Sequence, residues 1–489
     1  MATSGAHKPN IIFILTDDQG PWAMGCAGNS EIETPNLDRL ASEGTRFDHF
    51  FCSSPVCSPA RATLMTGRIP SQHGVHDWIA AGNTVSKYEP QRNGAFIEYL
   101  HGQTGYTDCL ARAGYVCGLS GKWHLGDCHH AQKSFGFWQV HAKGGGPYYN
   151  APMIGDGEVY EESRYVTDVI TDNALAFLRD VRDGDRPFYL GVHYTAPHSP
   201  WQREHHPAAV YDRYYRECPF ESVPVGDAVP HWVQHRTIPV DTAEKRREFL
   251  SGYYAAVTEM DRNVGRILEW LDGNDLRKDT LVIFTSDNGM NMGHHGVFGK
   301  GNATFPLNMF EESVKVPFLA SRPGHVPAGN VCSALVSQYD FMPTLLDYAG
   351  IADSENDQRP GRSFADVLRG KAIDGQDAVV VFDEYGPVRM VRTRDWKYIH
   401  RYPYGPHELY HLSSDPREET NLAGRDEHQS TEEALRHRLT EWFCRYADPG
   451  RDGLLEPVTG TGQVGLCGVE SQGRQNLTVG RVAHLLPRG

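Results

Sequence analysis

The stretch Asn10–Asp18, NIIFILTDD, is a short β-rich apolar run that ends abruptly in two acids. It reads as a buried strand followed by a loop that carries Asp17 and Asp18. Further strand-like runs are RPFYLGVHY (186–194), DTLVIFTSD (279–287) and VKVPFLASR (314–322). A helix is predicted at Thr34–Ser42, with Thr34 as N-cap, Pro35 at the first helical position and Leu37 and Leu40 facing inward. The clearest helix covers 242–273, where Phe249, Tyr253, Val257, Met260, Val264, Ile267, Leu268 and Leu271 recur at intervals of three and four. Strands alternating with long helices predict an α/β fold: a large, mainly parallel sheet sandwiched by helices. Ligands of such folds bind beyond the carboxyl ends of the strands, and both TDD and SDNG sit at such ends.

The 489 residues carry a formal net charge of −15, with 39% hydrophobic and 11% aromatic residues. That length suits two or three units, or one large α/β domain with an appendage. The acidic balance argues against nucleic acid or a membrane surface as partner, because both require a basic face. The opening MATSGAHKPN leads directly into NIIFIL, a run too short for a signal-peptide core or a membrane span, so a cytoplasmic location is expected. The 10 cysteines form no CxxC pair and are expected to be reduced. After about residue 370 the texture shifts to short, closely spaced runs (AVVVF, VRMVRT, WKYIHRY), followed by a helix starting at Thr431-Glu432-Glu433 with Leu435, Leu439 and Phe443 inward. The expected organisation is a main α/β domain over 1–370, a smaller antiparallel-sheet and helix subdomain over 371–448, and an irregular tail over 449–489. The tail reads either as an arm on its own chain or as a reach to a neighbouring subunit, which leaves a homo-oligomer open.

Chemistry concentrates in Cys57-Ser58-Pro59-Ala60-Arg61, followed by ATLMTG. Pro59 suits the first turn of a helix and places Cys57 just before its N-terminus, where free N–H groups favour an anion. Arg61, one turn in, adds a planar donor fork suited to tetrahedral oxyanions. Asp17-Asp18 and Asp287-Asn288, from separate strand ends, make an oxygen-only set for a hard divalent cation. Each alone has a plain reading as an Asx turn or helix cap; their joint occurrence on one edge favours the site. In Gly121-Lys122-Trp123-His124, residues two apart on an extended segment face the same side, so Lys122 and His124 share a face while Trp123 packs behind. His198 follows a strand end and Lys300 lies in a Gly-rich loop.

Taken in order, TDD, CSPAR, GKWHLG, APH, SDNG and GK resemble the type I sulfatases of the alkaline-phosphatase-like superfamily, and ELYHLSSDPREETNLA (408–423) resembles that family's C-terminal signature. The resemblance implies that Cys57 is converted to formylglycine by a separate maturation enzyme, and that one Ca²⁺ is bound by Asp17, Asp18, Asp287, Asn288 and the modified residue 57. It also implies that Arg61, Lys122, His124, His198 and Lys300 surround the aldehyde and the sulfate, with His198 as proton donor and His124 as proton acceptor. The implied reaction is hydrolysis of a sulfate ester to inorganic sulfate and an alcohol; the alternative within the superfamily is a phosphonate monoester or phosphodiester hydrolase. Polar and aromatic residues near the expected mouth favour a small sulfated saccharide. Candidate sugar contacts are His73, His76, Asp77 and Trp78, then Trp201, Arg203, His205 and His206, and His407 from the C-terminal part.

Overall fold

A computed structural model describes residues 8–84, 96–226, 240–354, 358–373 and 375–478, with the backbone of the short strand Gln234–His235. Its centre is a 10-stranded sheet. Thr280–Ser286, Asn10–Thr16, Phe188–His193, Val116–Lys122 and Phe137–His141 run parallel to one another in that order. Both flanks turn antiparallel: Phe318–Ser321 beside Thr280–Ser286, and Ala151–Gly155 beside Phe137–His141. The run expected over 314–322 therefore divides at Pro317. Lys315–Val316 pairs with Phe50–Phe51 in a separate small sheet, and Phe318–Ser321 joins the large one.

Every residue of Asn10–Thr16 is buried, and the strand's alternation shows why it reads as continuously apolar. Ile11, Phe13 and Leu15 point into one core, Ile12 and Ile14 into the other. The second core contains the inward face of the long helix Ala243–Gly273, whose N-cap Thr242 accepts from Lys245 N–H at 3.2 Å. Helix Pro35–Ser42 lies on the same side with Leu37 and Leu40 buried. Thr34 stands at its N-cap position without capping it, because its hydroxyl accepts from Gly25 N–H at 2.8 Å. The first-turn donors go instead to Asp261 of the long helix, which accepts from Asn36 N–H at 3.1 Å and Leu37 N–H at 2.8 Å.

Residues Ala378–Asp383, Val388–Thr393, Trp396–Arg401 and Glu408–His411 form a four-stranded antiparallel sheet in chain order. One face (Val380, Phe382, Val391) packs on helix Gln429–Tyr446. The other (Val379, Val381, Met390, Ile399) joins the first core of the main body. That helix begins two residues before the expected Thr431. The segment after it is an irregular arm on its own chain: Asp448 N–H bonds Ser71 O at 2.8 Å and Arg451 Nη1 bonds Gln72 O at 2.7 Å. Residues 479–489 of the expected tail lie outside the described residues. No helix among the described residues is long and apolar enough to cross a membrane.

Asp261 is 1% exposed and its carboxylate satisfies two N–H groups of a neighbouring helix, that of Leu37 buried and that of Asn36 half-buried. Asp261→Ala strands both donors and is expected to lower stability by about 3 kcal/mol in urea unfolding, whereas an unchanged midpoint would show that water replaces the carboxylate.

Candidate active site

Thr16 and Ser286 are register partners at the ends of adjacent parallel strands. Asp17 and Asp287 therefore leave the sheet together, and both are fully buried. Asp18 follows in a left-handed conformation, φ 66°, a strained geometry for a non-glycine residue. Three bonds hold it there: its N–H donates to Asp287 Oδ1 at 3.2 Å, Tyr253 Oη donates to its carbonyl at 2.9 Å, and Asn288 Nδ2 donates to its Oδ1 at 2.8 Å. Gln338 completes the frame, donating to the Asp287 carbonyl at 2.7 Å and accepting from Ser53 N–H at 3.1 Å.

Three cations balance the three acids. Arg61 Nε meets Asp287 Oδ2 at 2.8 Å, Lys122 Nζ meets Asp17 Oδ2, and Lys300 Nζ meets Asp18 Oδ1 at 2.5 Å. Burial, reinforced by Asp287, lifts the Asp17 carboxyl to about 6 against the pull of Lys122. Burial also pushes on Asp287, but Arg61, Lys122 and Lys300 together hold it below the ordinary carboxylate value. At Asp18 the same desolvation is outweighed by Lys300 and His198, and its pKa falls.

Cys57 is the first residue of helix Cys57–Thr66 rather than the residue before it, since Val56 occupies the N-cap and Pro59 the third position. Its Sγ lies 3.4 Å from Lys300 Nζ. Burial raises its thiol pKa in spite of Lys122 and Lys300, so the encoded thiol stays protonated near neutrality and is a poor nucleophile.

Lys122 ends its strand, but His124 has φ 56°, so the two do not share a face through strand alternation. The reversal still brings His124 to the cavity wall, and Trp123 packs behind against Phe135 and Trp138. His124 Nε2 donates to Ile79 O at 3.1 Å, which leaves Nδ1 buried with no partner. Burial, with Lys122 and Arg61 nearby, holds this imidazole neutral well below its ordinary pKa. His198 is fixed by its Nδ1 contact to Ser199 O at 2.7 Å, which turns Nε2 towards Asp18 Oδ2 at 3.7 Å. The Lys143-Gly144-Gly145 turn backs both rings. A Cβ at Gly144 would fall 2.1 Å from His124 Cε1, and one at Gly145 would fall 3.1 Å from His198 Cε1.

A cavity of about 850 Å³ opens over these groups, lined by Asp18, Cys57, His124, His198 and Lys300 at its base. Among the residues read from sequence as sugar contacts, Trp78 and Trp201 line it. His76 and Asp77 do not, because both are buried behind the wall, their N–H groups held by Gln463. Arg203 is turned outward in an ion pair with Asp212. His407 stacks on His400 beside a separate groove of the C-terminal sheet. His73 bonds Thr63 and His206 bonds Pro200 O, both inside the protein, and His205 lies outside the lining. Sequence reading missed Asn83, Gln202, Phe249, Phe298 and Asn302 of the lining, along with the Lys143–Gly145 turn. Only that turn, three glycines after a lysine, left a signal.

One oxygen or sulfur from each of Asp17, Cys57 and Asp287 lies within 4.8 Å of the others. Asp17 Oδ1 and Asn288 Oδ1 are buried without a hydrogen-bond donor. Such a spacing fits ligands about 2.4 Å from one hard cation. The sulfur of Cys57 is the one soft donor in the set, and exchanging it for oxygen would match the rest.

Residues 9–351 match the family model for sulfatases, and residues 293–444 match the C-terminal model of N-sulphoglucosamine sulphohydrolase. An N-acetylglucosamine-6-O-sulfatase of Bacteroides thetaiotaomicron is 28% identical across 91% of this chain and 88% of its own length. The N-acetylgalactosamine-6-sulfatase of Homo sapiens is 32% identical across 76% of this chain and 69% of its own. A solved structure in complex with its substrate D-glucosamine-2-N,6-O-disulfate superposes with a TM-score of 0.73 at 27% identity, covering 91% of this chain and 99% of the other. Architecture, family model and relatives agree: the chain belongs to the type I sulfatase family of the alkaline-phosphatase-like superfamily and is a sulfuric ester hydrolase.

Proposed function

We propose that this sulfatase removes sulfate from a small carbohydrate, with a 6-O-sulfated hexosamine, the class named by the two relatives described above, as the first candidate, and that it works with formylglycine at position 57 and one Ca²⁺. The observation that carries the reading is the position of Cys57: at a helix N-terminus, 3.4 Å from Lys300 Nζ and beside the Asp17 and Asp287 oxygens. Asp17, Asp18, Asp287 and Asn288 would hold the cation. When bound, formylglycine supplies a hydrated carbonyl oxygen as nucleophile and Ca²⁺ polarises the sulfate oxygens.

The remaining work belongs to side chains already in place. Lys122 and Lys300 are buried ammonium groups, and Arg61 orients Asp287 while bonding Lys122 O at 3.1 Å. Three cations against three carboxylates leave the site near neutral, so an added dication makes it attractive to an anionic ester and to the charge that builds on its oxygens. His198, with Nδ1 fixed on Ser199 O, presents Nε2 to donate a proton to the departing alkoxide. His124, with Nε2 committed to Ile79 O and its pKa depressed, keeps Nδ1 free to accept one. The aromatic walls Trp78, Trp201, Phe249 and Phe298 suit the apolar faces of a sugar ring.

Peptide mass spectrometry across residue 57, paired with turnover of a hexosamine 6-sulfate, tests the reading. Active protein should carry formylglycine there, and Cys57→Ala should lose at least about 10³-fold in kcat while keeping its fold. Full activity with an unconverted or absent Cys57 would overturn it. Chelation followed by dialysis should abolish turnover and lower the thermal midpoint, with both restored by added Ca²⁺; indifference to chelator would remove the cation from the proposal. Gly144→Ala should displace the His124 ring and cut kcat by about 10²-fold with little change in KM, and wild-type kinetics would show that His124 tolerates displacement.

A further inference from the structure

The arm after residue 448 lies outside both matched family regions, 9–351 and 293–444, yet it is built into the back of the cavity wall. Gln463 is fully buried. Its Oε1 accepts from His76 N–H at 2.8 Å and Asp77 N–H at 3.4 Å, and its Nε2 donates to Gly74 O at 2.9 Å and Gly465 O at 3.0 Å. Its main chain adds a strand-like bridge: Gln463 N–H to Trp78 O and Ala80 N–H to Gln463 O, both 2.8 Å. Beside it, Trp78 Nε1 donates to Gly460 O at 3.3 Å and Gly462 N–H donates to Asp77 Oδ2 at 3.1 Å. Gly462 has φ 114°, and a Cβ there would meet Ala80 Cβ at 2.5 Å and the Trp78 ring at 3.1 Å. The arm is itself braced, since Val464 N–H bonds Asn476 O at 2.7 Å and Thr478 N–H bonds Gly462 O at 2.9 Å.

The central residue of this wall is anchored differently. Ile79 N–H donates to Ser58 Oγ at 3.1 Å, the same hydroxyl donates to His124 O at 3.0 Å, and Ile79 O takes the His124 Nε2 bond. Ser58 belongs to the nucleophile helix. Ile79 is therefore held from within the main body, whereas Trp78 and Ala80, which also line the cavity, are held from the arm.

We infer that the C-terminal arm determines specificity, with Gln463 as the positioning residue that sets the Trp78–Ala80 wall against the alcohol portion of the substrate. This rests on the reading of the cavity as a saccharide-sulfate site. The side-chain contacts of Gln463 are too specific for surface packing alone: both of its polar atoms are satisfied, four bonds in all, by backbone groups of two segments.

The test compares full-length wild type, Gln463→Ala and Gly462→Val on 4-nitrophenyl sulfate, which needs little of the wall, and on the best substrate from a panel of monosulfated hexosamines. Thermal midpoints are recorded for each. The alanine variant loosens the wall and the valine variant pushes it inward. Both are expected to raise KM for the sulfated sugar about tenfold and to leave kcat/KM for the aryl sulfate within about threefold. A sugar-to-aryl ratio unchanged in both variants, including equal losses on the two substrates, overturns the inference and makes the arm a support of the fold only. Wild type that turns over the aryl sulfate and none of the sugars refutes the saccharide reading and the inference with it.

Discussion

Two carboxylates forced together out of water are the constraint around which this protein is arranged. The parallel register that pairs Thr16 with Ser286 delivers Asp17 and Asp287 side by side at zero exposure, where repulsion and desolvation both oppose ionisation. Arg61, Lys122 and Lys300 answer that opposition one cation per acid, counting Asp18. Each cation comes from a different place in the chain: the nucleophile helix, a neighbouring strand end and a loop after SDNG. The site therefore assembles only when the sheet, the helix over it and the loop above it are all in place. Asp17 Oδ1 and Asn288 Oδ1, left without donors in this centre, are the oxygens a dication would satisfy.

Around this centre, positions are fixed by groups that take no direct part in chemistry. Tyr253 and Gln338 hold the backbone of the acids, Ser58 ties the helix to His124, and Gly144 lets a turn approach the His124 ring closely. Such contacts limit the freedom of the reacting groups before substrate arrives, the condition under which electrostatic stabilisation is most effective.

Much of this was legible in the sequence because the informative segments obey simple patterns. NIIFILTDD and DTLVIFTSD announce buried strands by continuous apolar character, and the 242–273 helix announces itself by its period. The strand Val116–Lys122 was not read as one, because glycines break its apolar run. Gly118 leaves room for Phe177, and Gly121 lies against His193 O with φ 107°. Tertiary packing, invisible along the chain, explains both. The same holds for Thr34, whose capping role passes to Asp261, which binds Asn36 N–H from 225 positions away, and for His124, whose left-handed backbone no alternation rule anticipates. The acids, cations and imidazoles at the base of the cavity come from motifs. His76, Asp77, Arg203 and His407 were expected in the lining from proximity along the chain or from residue type, and the folded wall turns them elsewhere.

The bond between His76 N–H and Gln463 Oε1 joins positions 387 residues apart. Chains emerge from the ribosome N-terminus first, so Asp17, Asp18 and the nucleophile helix are made first, Asp287 and Lys300 later, and Gln463 after all of them. Until then the His76–Ala80 segment lacks the hydrogen bonds that Gln463 gives it in the finished molecule.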